Sequence, residues 1–318
     1  AAEYLPPADQ LKDPEGKPLT ARQIPGRGTA YAILAGVYAW IAGYGQEPEY
    51  YALGIEAAGK VIGDPNYRLV ASPEEVCTEV LPGNSEEGIF EVCYDDSRGE
   101  YKDFGSYIGG TVEKWPVLKG TTPASRRKFF IRNETVERLY TPEDLRLQAY
   151  FADFFRMKEE PVSVTQGAAY VRMWREVEYY SGGIYDGTPR TLLANDILIR
   201  LPDILLLRAE MKAATGDREG AVADLDVVRR RAGVAGYSEA EGDLRRAIQL
   251  ERDRELLFQT GVRYFDYMRN HTYNLLKGGF RDLTETDVAA GALFLPVSLD
   301  AMNNNPKVKQ TAYWVGKF

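Results

Sequence analysis

Apolar residues recur at helical spacing in two separated parts of the chain. In the first, Ala30, Leu34, Val37 and Ile41 share one face, residues 43–46 make a turn, and Tyr51, Ile55, Ala58 and Ile62 share the face of a helix entered through Pro48. Small residues, Ala35, Gly36, Ala52, Ala57 and Ala58, allow close helix approach. In the second, Pro202 suits a first helical position, where its missing donor costs nothing, and Leu201, Leu205, Ala209 and Ala213 line one face. Thr215-Gly216-Asp217 breaks that helix, and Ala221, Leu225, Val228 and Ala232 form the next apolar face before Gly233, placed for a left-handed cap. Short connections between helices with apolar faces predict antiparallel pairs. A charged helix is expected over 248–269.

Helix pairs of one design, separated by a stretch of different character, predict a mainly α fold: a tetratricopeptide-like α-α superhelix with a long loop-rich insertion carrying a few short strands. The expected divisions of a single domain over 1–318 are a helix pair at 28–63, an insertion at 64–195, a helix pair plus the charged helix at 196–270, and a C-terminal loop region at 271–318.

Within the insertion, Ile89-Phe90-Glu91-Val92-Cys93-Tyr94 alternates like a short strand. The residues after it, DDSRGEYKDFGSYIGGTVEKW, hold Gly, Tyr and charge without a period, which predicts a long loop. Long structureless loops either bind something or are disordered, and Tyr101, Phe104, Tyr107 and Trp115 argue for binding. A second aromatic concentration, at Tyr170, Trp174, Tyr179, Tyr180 and Tyr185, is expected to pack onto the helices.

Composition narrows the function classes. A chain of 318 residues, 44% hydrophobic, can bury a large core. Its net charge of −8, with both signs interspersed, opposes a phosphate backbone and excludes a general nucleic-acid binder. No window offers the roughly 18 apolar residues of a membrane span, and any export address is expected to have been removed before Ala1. Cys77 and Cys93 match no metal spacing and read as buried thiols or one disulfide. Glu251 with Glu255, and Arg263 with Asp266 and Arg269, could be acid/base carboxylates, but their helical spacing of three and four predicts structural ion pairs. His271 has no second His or Cys nearby and reads as a surface residue. Gly26-Arg27-Gly28 lacks the third Gly and preceding strand of a dinucleotide loop, and no nucleophile elbow, phosphate loop or zinc pair is present. Asp95, Asp96, Ser97, Glu100 and Asp103 offer hard oxygens but miss the twelve-residue calcium spacing. No catalytic residue, cofactor or metal is expected.

Four segments, in order, resemble the SusD/RagB family of outer-membrane nutrient-binding lipoproteins. Tyr4-Leu5-Pro6 followed by GRGTAYAILAGVYAWIAG is similar to that family's LP…GRxTxxAAxxLLAxVYL, without its Lys after Thr29. RLPDILLLRAEMKAATGD is similar to RxAEvlLxxAEAxxxxGD, with Asp203 at the usual acidic position. IQLERDRELLFQTGVRYFDYMR resembles IxxERrxELxxEGxRxxDLxR, with Glu251, Arg252, Glu255, Leu256, Gly261, Arg263, Asp266 and Arg269 in register and Gln259-Thr260 replacing the usual Glu. FLPVSLDAMNNNPKVKQT is similar to the terminal LxPIPxxExxxNPxxxQN.

The resemblance implies a non-catalytic receptor on the extracellular face of a Gram-negative outer membrane. Held by a lipidated Cys outside this chain, it would capture oligosaccharide for a SusC-like TonB-dependent transporter. It also implies that part of the scaffold usually found before the LP segment is absent. Sugar rings present apolar faces and polar rims, so Tyr and Trp planes with charged hydrogen-bonding partners suit them. The expected ligand site is therefore Tyr101, Tyr107 and Trp115, with Asp95 and Arg98 as polar partners. Competing readings are a RagB-like peptide receptor, a generic tetratricopeptide interaction scaffold, and a glycoside hydrolase with carboxylates facing across a cleft.

Overall fold

The computed structural model describes residues 2–19, 22–94, 111, 118–122, 129–259, 262–276 and 282–317. Its scaffold helices are α1 (Arg27–Gly43), α2 (Tyr50–Ile62), α3 (Leu201–Thr215) and α4 (Arg218–Arg231), followed by α5 (Leu244–Glu255) and α6 (Val262–Arg269). Helix α2 lies between α1 and α3, and α3 between α2 and α4, so the helix pairs stack although a long insertion separates them in sequence. The fold is mainly helical.

The second pair follows the apolar pattern closely. Leu201, Leu205 and Ala209 on α3, and Ala221, Leu225 and Val228 on α4, are buried in one core. Pro202 opens α3, Asp217 caps α4 by accepting the Gly220 amide at 2.9 Å, and Gly216 and Gly233 close the two helices with positive φ. Full burial of each Leu is worth about 1.5–3 kcal/mol, so this seam and not intrinsic propensity holds the pair.

Helix α1 is rotated from expectation. Its buried residues are Gly28, Thr29, Ala32, Ala35, Ala39 and Ala42. Leu34 is only half-buried against that core, and Val37, expected inside, is exposed. Small side chains let the backbones come together, and that close contact wins over burying the larger residues one position round. Gly36 and Ala52 lie outside the contact, whereas Ala35, Ala57 and Ala58 are in it. Gly54 has the role anticipated for a small residue: a Cβ there would sit 2.4 Å from Met211 Sδ of α3.

The charged helix expected over 248–269 is two helices. It stops at Glu255 and resumes at Val262, with Phe258 at a positive φ of 57° between them. The break is fixed from outside, because the Arg200 guanidinium donates to the Glu255 carbonyl at the end of α5.

Short strands in the described residues form two-stranded antiparallel sheets: β1 (Gly88–Val92) with β6 (Asp196–Arg200), β2 (Ile131–Arg132) with β3 (Ala168–Ala169), and β4 (Val177–Tyr179) with β5 (Pro189–Leu192). A second core fills the insertion, built from Val76, Val80, Leu147, Tyr150, Phe151, Met173, Trp174 and Ile197 among others. Strand β1 joins the cores: Ile89 belongs to the helical one, while its partner strand carries Ile197 into the other. No disulfide joins Cys77 and Cys93. Cys77 is buried in the insertion core, where burial pushes its thiol up to about 12; Cys93 is exposed, against expectation, because β1 ends just before it.

Candidate functional site

All of the expected ligand residues, Asp95, Arg98, Tyr101, Tyr107 and Trp115, lie outside the described residues, as do Asp96, Ser97, Glu100 and Asp103. The flanks of their loop are described. At its start, the Tyr94 hydroxyl donates to Asp196 Oδ2 at 2.8 Å, fixing the chain to the end of β6. At its end, Gly120 adopts φ +75° against the backbone of Gly187, so close that a Cβ would lie 2.1 Å from the Gly187 carbonyl oxygen. The described flanks, Tyr94 and Gly120, thus sit beside the β1–β6 sheet and against the β4–β5 turn, and Thr111, the described residue within the stretch expected to be a structureless loop, is helical and fully buried.

That turn carries the exposed aromatics. The Tyr180 amide donates to the Thr188 carbonyl and the Gly187 amide to the Tyr180 carbonyl, the Gly182 amide donates to Asp186 Oδ1 at 2.6 Å, and Gly182, Gly183 and Gly187 all take positive φ. Only glycine adopts such angles without steric cost, so the sequence builds a turn that projects from the body. Ile184 is 91% exposed and Tyr185 60%, and the Tyr180 and Tyr185 ring centroids lie 5.7 Å apart at 41°. The base is fixed, with Thr191 and Leu192 buried and Arg190 paired to Glu178 across the hairpin at 3.3 Å.

This arrangement corrects the expectation for the second aromatic concentration. Tyr170, Val171, Met173 and Trp174 are buried, though in the insertion's own cores and not on the scaffold helix pairs, and the hairpin beyond them faces solvent. The Ser181-Gly182-Gly183 and Asp186-Gly187 runs on either side of Ile184 and Tyr185 are the sequence signal of a projecting turn.

A separate cleft of about 560 Å³ is lined by Arg68, Glu75, Glu79, Asn84, Ser85 and Glu86, together with residues 69–71 and 83. Arg68 and Glu86 are paired and exposed at its edge. Its lining holds no aromatic plane, only the aliphatic Leu69, Val70 and Ala71 beside the polar groups.

The charged motif of α5 and α6 is buried and internally matched. Glu255, fully buried, accepts from Arg200 Nη1 at 2.6 Å, from Arg231 Nη2 and from Arg146 Nη1 at 3.3 Å. Glu87 accepts from that same Arg200 Nη1 and from Arg231 Nη1, each at 2.7 Å, and Arg146 also pairs with Glu251 at 2.6 Å and Asp144 at 2.8 Å. Burial opposes the Glu255 charge, but the surrounding guanidiniums outweigh it and hold the carboxyl at about 2. On the opposite side of α5, Arg252 bridges Asp203 and Asp266 at 2.6 Å each, and Arg269 bridges Glu210 and Asp266 at 2.7 Å. Arg263 pairs with Asp253 at 2.8 Å. The charges are structural ion pairs as expected, but only Arg269–Asp266 among these has the helical spacing; the others are tertiary, with Arg263 on Asp253 and not on Asp266. His271 is exposed, its Nε2 within hydrogen-bond distance of the Gly43 carbonyl oxygen at 3.1 Å, and stacked on Tyr44. Among the described residues no group of His, Cys, Asp and Glu is arranged to hold a metal ion, and no helix is long and apolar enough to cross a membrane.

Comparison with known proteins gives this geometry a context. A family model described as the SusD family matches residues 86–314. No curated protein matches the chain in sequence. A SusD homolog from Bacteroides thetaiotaomicron VPI-5482 superposes with a TM-score of 0.78 at 22% identity, over 99% of this chain and 64% of that one. Surface glycan-binding protein A from Bacteroides uniformis gives 0.66 at 20% identity, over 98% and 65%. Surface glycan-binding protein A from Bacteroides thetaiotaomicron, in complex with laminarihexaose, gives 0.68 at 21% identity, over 98% and 67%. The chain spans about two thirds of the length of these solved structures, and at such identities the likeness establishes the fold.

Proposed function

This chain belongs to the SusD family, and from that premise we propose that it is a non-catalytic cell-surface protein that captures oligosaccharide and delivers it to a SusC-like TonB-dependent transporter. In this reading the intact protein sits on the outer face of the outer membrane through a lipid anchor. The observation that carries the proposal is the β4–β5 hairpin, whose exposed Tyr180 and Tyr185 lie at the return of an aromatic loop, in a fold shared with a laminarihexaose-bound glycan-binding protein. The site comprises Tyr101, Tyr107 and Trp115 as platforms and Asp95 and Arg98 as polar partners, joined now by Tyr180 and Tyr185.

Tyrosine rings give a sugar face rigid apolar contact, while sugar hydroxyls exchange water for protein hydrogen bonds at small net gain. Affinity is accordingly set in the micromolar to millimolar range, roughly −8 to −4 kcal/mol, which suits a receptor that releases its cargo. The carboxylates that a hydrolase would need are not supplied by α5 and α6, where Glu251 and Glu255 are buried among arginines.

The test is isothermal titration of the chain with laminarihexaose and a panel of other oligosaccharides, followed by the Tyr180→Ala/Tyr185→Ala double variant. Losing the platform area is expected to weaken binding about tenfold or more. Unchanged affinity in a folded variant would remove the hairpin from the site, and binding of peptides alone would replace the glycan reading with a RagB-like one.

A further inference from the structure

Strand β1 alternates in burial, with Ile89 and Glu91 each 1% exposed and Val92 42%. A carboxyl therefore stands where the strand pattern calls for an apolar side chain. A buried carboxylate ordinarily has a cation at hydrogen-bond distance, and among the described residues Glu91 has none. Its Oε1 accepts the Asn84 amide at 2.6 Å and the Gln23 side-chain amide at 3.4 Å, whereas its Oε2 is buried without a hydrogen-bond partner among the described residues. Asn195 Nδ2 is buried in the same condition. A Cβ on Gly83 would lie 2.0 Å from that nitrogen, so the 83–86 turn closes directly on the Asn195 amide. Arg22 is the charged group that acts on Glu91, but its hydrogens go to the Ser85 and Asn66 carbonyls, both at 3.1 Å, and its guanidinium lies over the Tyr67 ring. Neighbouring carboxylates are engaged elsewhere: Glu86 with Arg68, Glu87 with Arg200 and Arg231, and Asp196 with the Tyr94 hydroxyl.

We propose that Glu91 is a proton switch, which holds residues 22–23, the 83–86 turn and the end of the β1–β6 sheet together when protonated and loosens them when it ionises. All of these segments meet at its carboxyl. Besides the bonds to Oε1, the Glu91 amide donates to the Arg22 carbonyl at 3.3 Å, and Asn84 Oδ1 accepts the Arg22 amide at 3.3 Å and Gln23 Nε2 at 3.0 Å. Protonation gives Oε2 a hydrogen to donate. Turning the Asn195 amide about its last bond exchanges its oxygen and nitrogen, so that hydrogen meets Asn195 Oδ1, and Oε2 gains the partner it lacks while Nδ2 leaves its unpaired position. Ionised, the group is an unpaired interior charge, and its cost is relieved when the turn lifts and admits water. Burial accordingly pushes the carboxyl above its usual range, further than the Asn84 amide, the Asn195 amide and the Arg22 charge lower it. With a folded value above the roughly 4.3 of an unfolded Glu, its contribution is full below that unfolded value and is lost as pH rises through the folded one. Glu255 has the opposite sign. Tyr94 follows three residues on and is bonded to Asp196 at the same end of the sheet, so the switch acts at the root of the proposed glycan site. That consequence rests on the glycan reading, whereas the switch is measured without a ligand and either can fail alone.

Amide hydrogen exchange between about pH 4.5 and 8, read by mass spectrometry and corrected for the intrinsic rate at each pH, is the test. Protection across residues 83–92 is expected to fall at least roughly threefold as pH rises, while that of α3 and α4 stays constant. Glu91→Gln keeps the neutral shape and is expected to flatten the response. No fall in the parent, an equal fall in α3 and α4, or an undiminished fall in Glu91→Gln would overturn the proposal. A reading that needs no variant comes from carbon-13 titration of the Glu91 carboxyl in the parent chain. Its midpoint is expected above about 4.3 and at the pH where protection is lost; a midpoint at or below that value would overturn the switch.

Discussion

Glu255 gathers three guanidiniums from different parts of the chain, Arg146 from the insertion, Arg200 from β6 and Arg231 from α4. Taking so many charges out of water is costly, and mutual pairing recovers that cost only when each group has its partners. Glu255→Gln keeps the shape but leaves three arginines without their shared anion, and is expected to destabilise the fold by about 3–5 kcal/mol in urea unfolding. The pH dependence has a definite sign. The folded carboxyl titrates at about 2, below the roughly 4.3 of an unfolded Glu, so its contribution is present above that unfolded value and is lost as pH falls toward 2. Urea midpoints of the parent and Glu255→Gln should converge between pH 5 and 2, and curves that stay parallel would remove Glu255 from the acid response. The sequence showed that these charges are structural, since spacings of three and four suit a helix surface. It did not reveal the partners, because Glu87 and Arg146 reach α5 only through the tertiary fold.

At the scale of elements, legibility followed how strictly each segment obeyed one period. Helices α3 and α4 carry capping signals and large apolar residues on one face, and the structure matches their reading nearly residue for residue. Helix α1 is apolar on several faces, so periodicity alone could not choose which one is buried, and the small-residue seam won. The break between α5 and α6 is imposed by Arg200 from another element, a contact no local pattern contains. The hairpin was legible in its glycines but misread through its aromatics. Close packing makes one further prediction. A Cβ on Gly43 would lie 2.6 Å from Arg269 Cγ and 2.8 Å from its carbonyl oxygen. Gly43→Ala must therefore push Arg269 of α6 away from α1 and disturb its pairing with Glu210 of α3. The expected cost is about 1–3 kcal/mol, seen as a lowered thermal midpoint, whereas Gly36→Ala should leave that midpoint unchanged or raise it. Equal effects at the two glycines would contradict the packing described.

Across the whole molecule, a helical core and an insertion core meet at the β1–β6 sheet and the buried arginine lattice. A scaffold of this kind lets the exposed aromatic hairpin be positioned without its tip being packed. The family was legible in the sequence because its motifs are the scaffold's own packing and ion-pair positions. The ligand was not, because the residues proposed to contact it obey no period. The account's central claim is that those loops hold a sugar. Calorimetric titration of this chain with a panel of oligosaccharides, laminarihexaose included, tests it most directly. Saturable micromolar-to-millimolar binding of at least one glycan, weakened by Tyr180→Ala/Tyr185→Ala, is the predicted result. Heats indistinguishable from dilution for every glycan, from a chain with native circular dichroism, would contradict it.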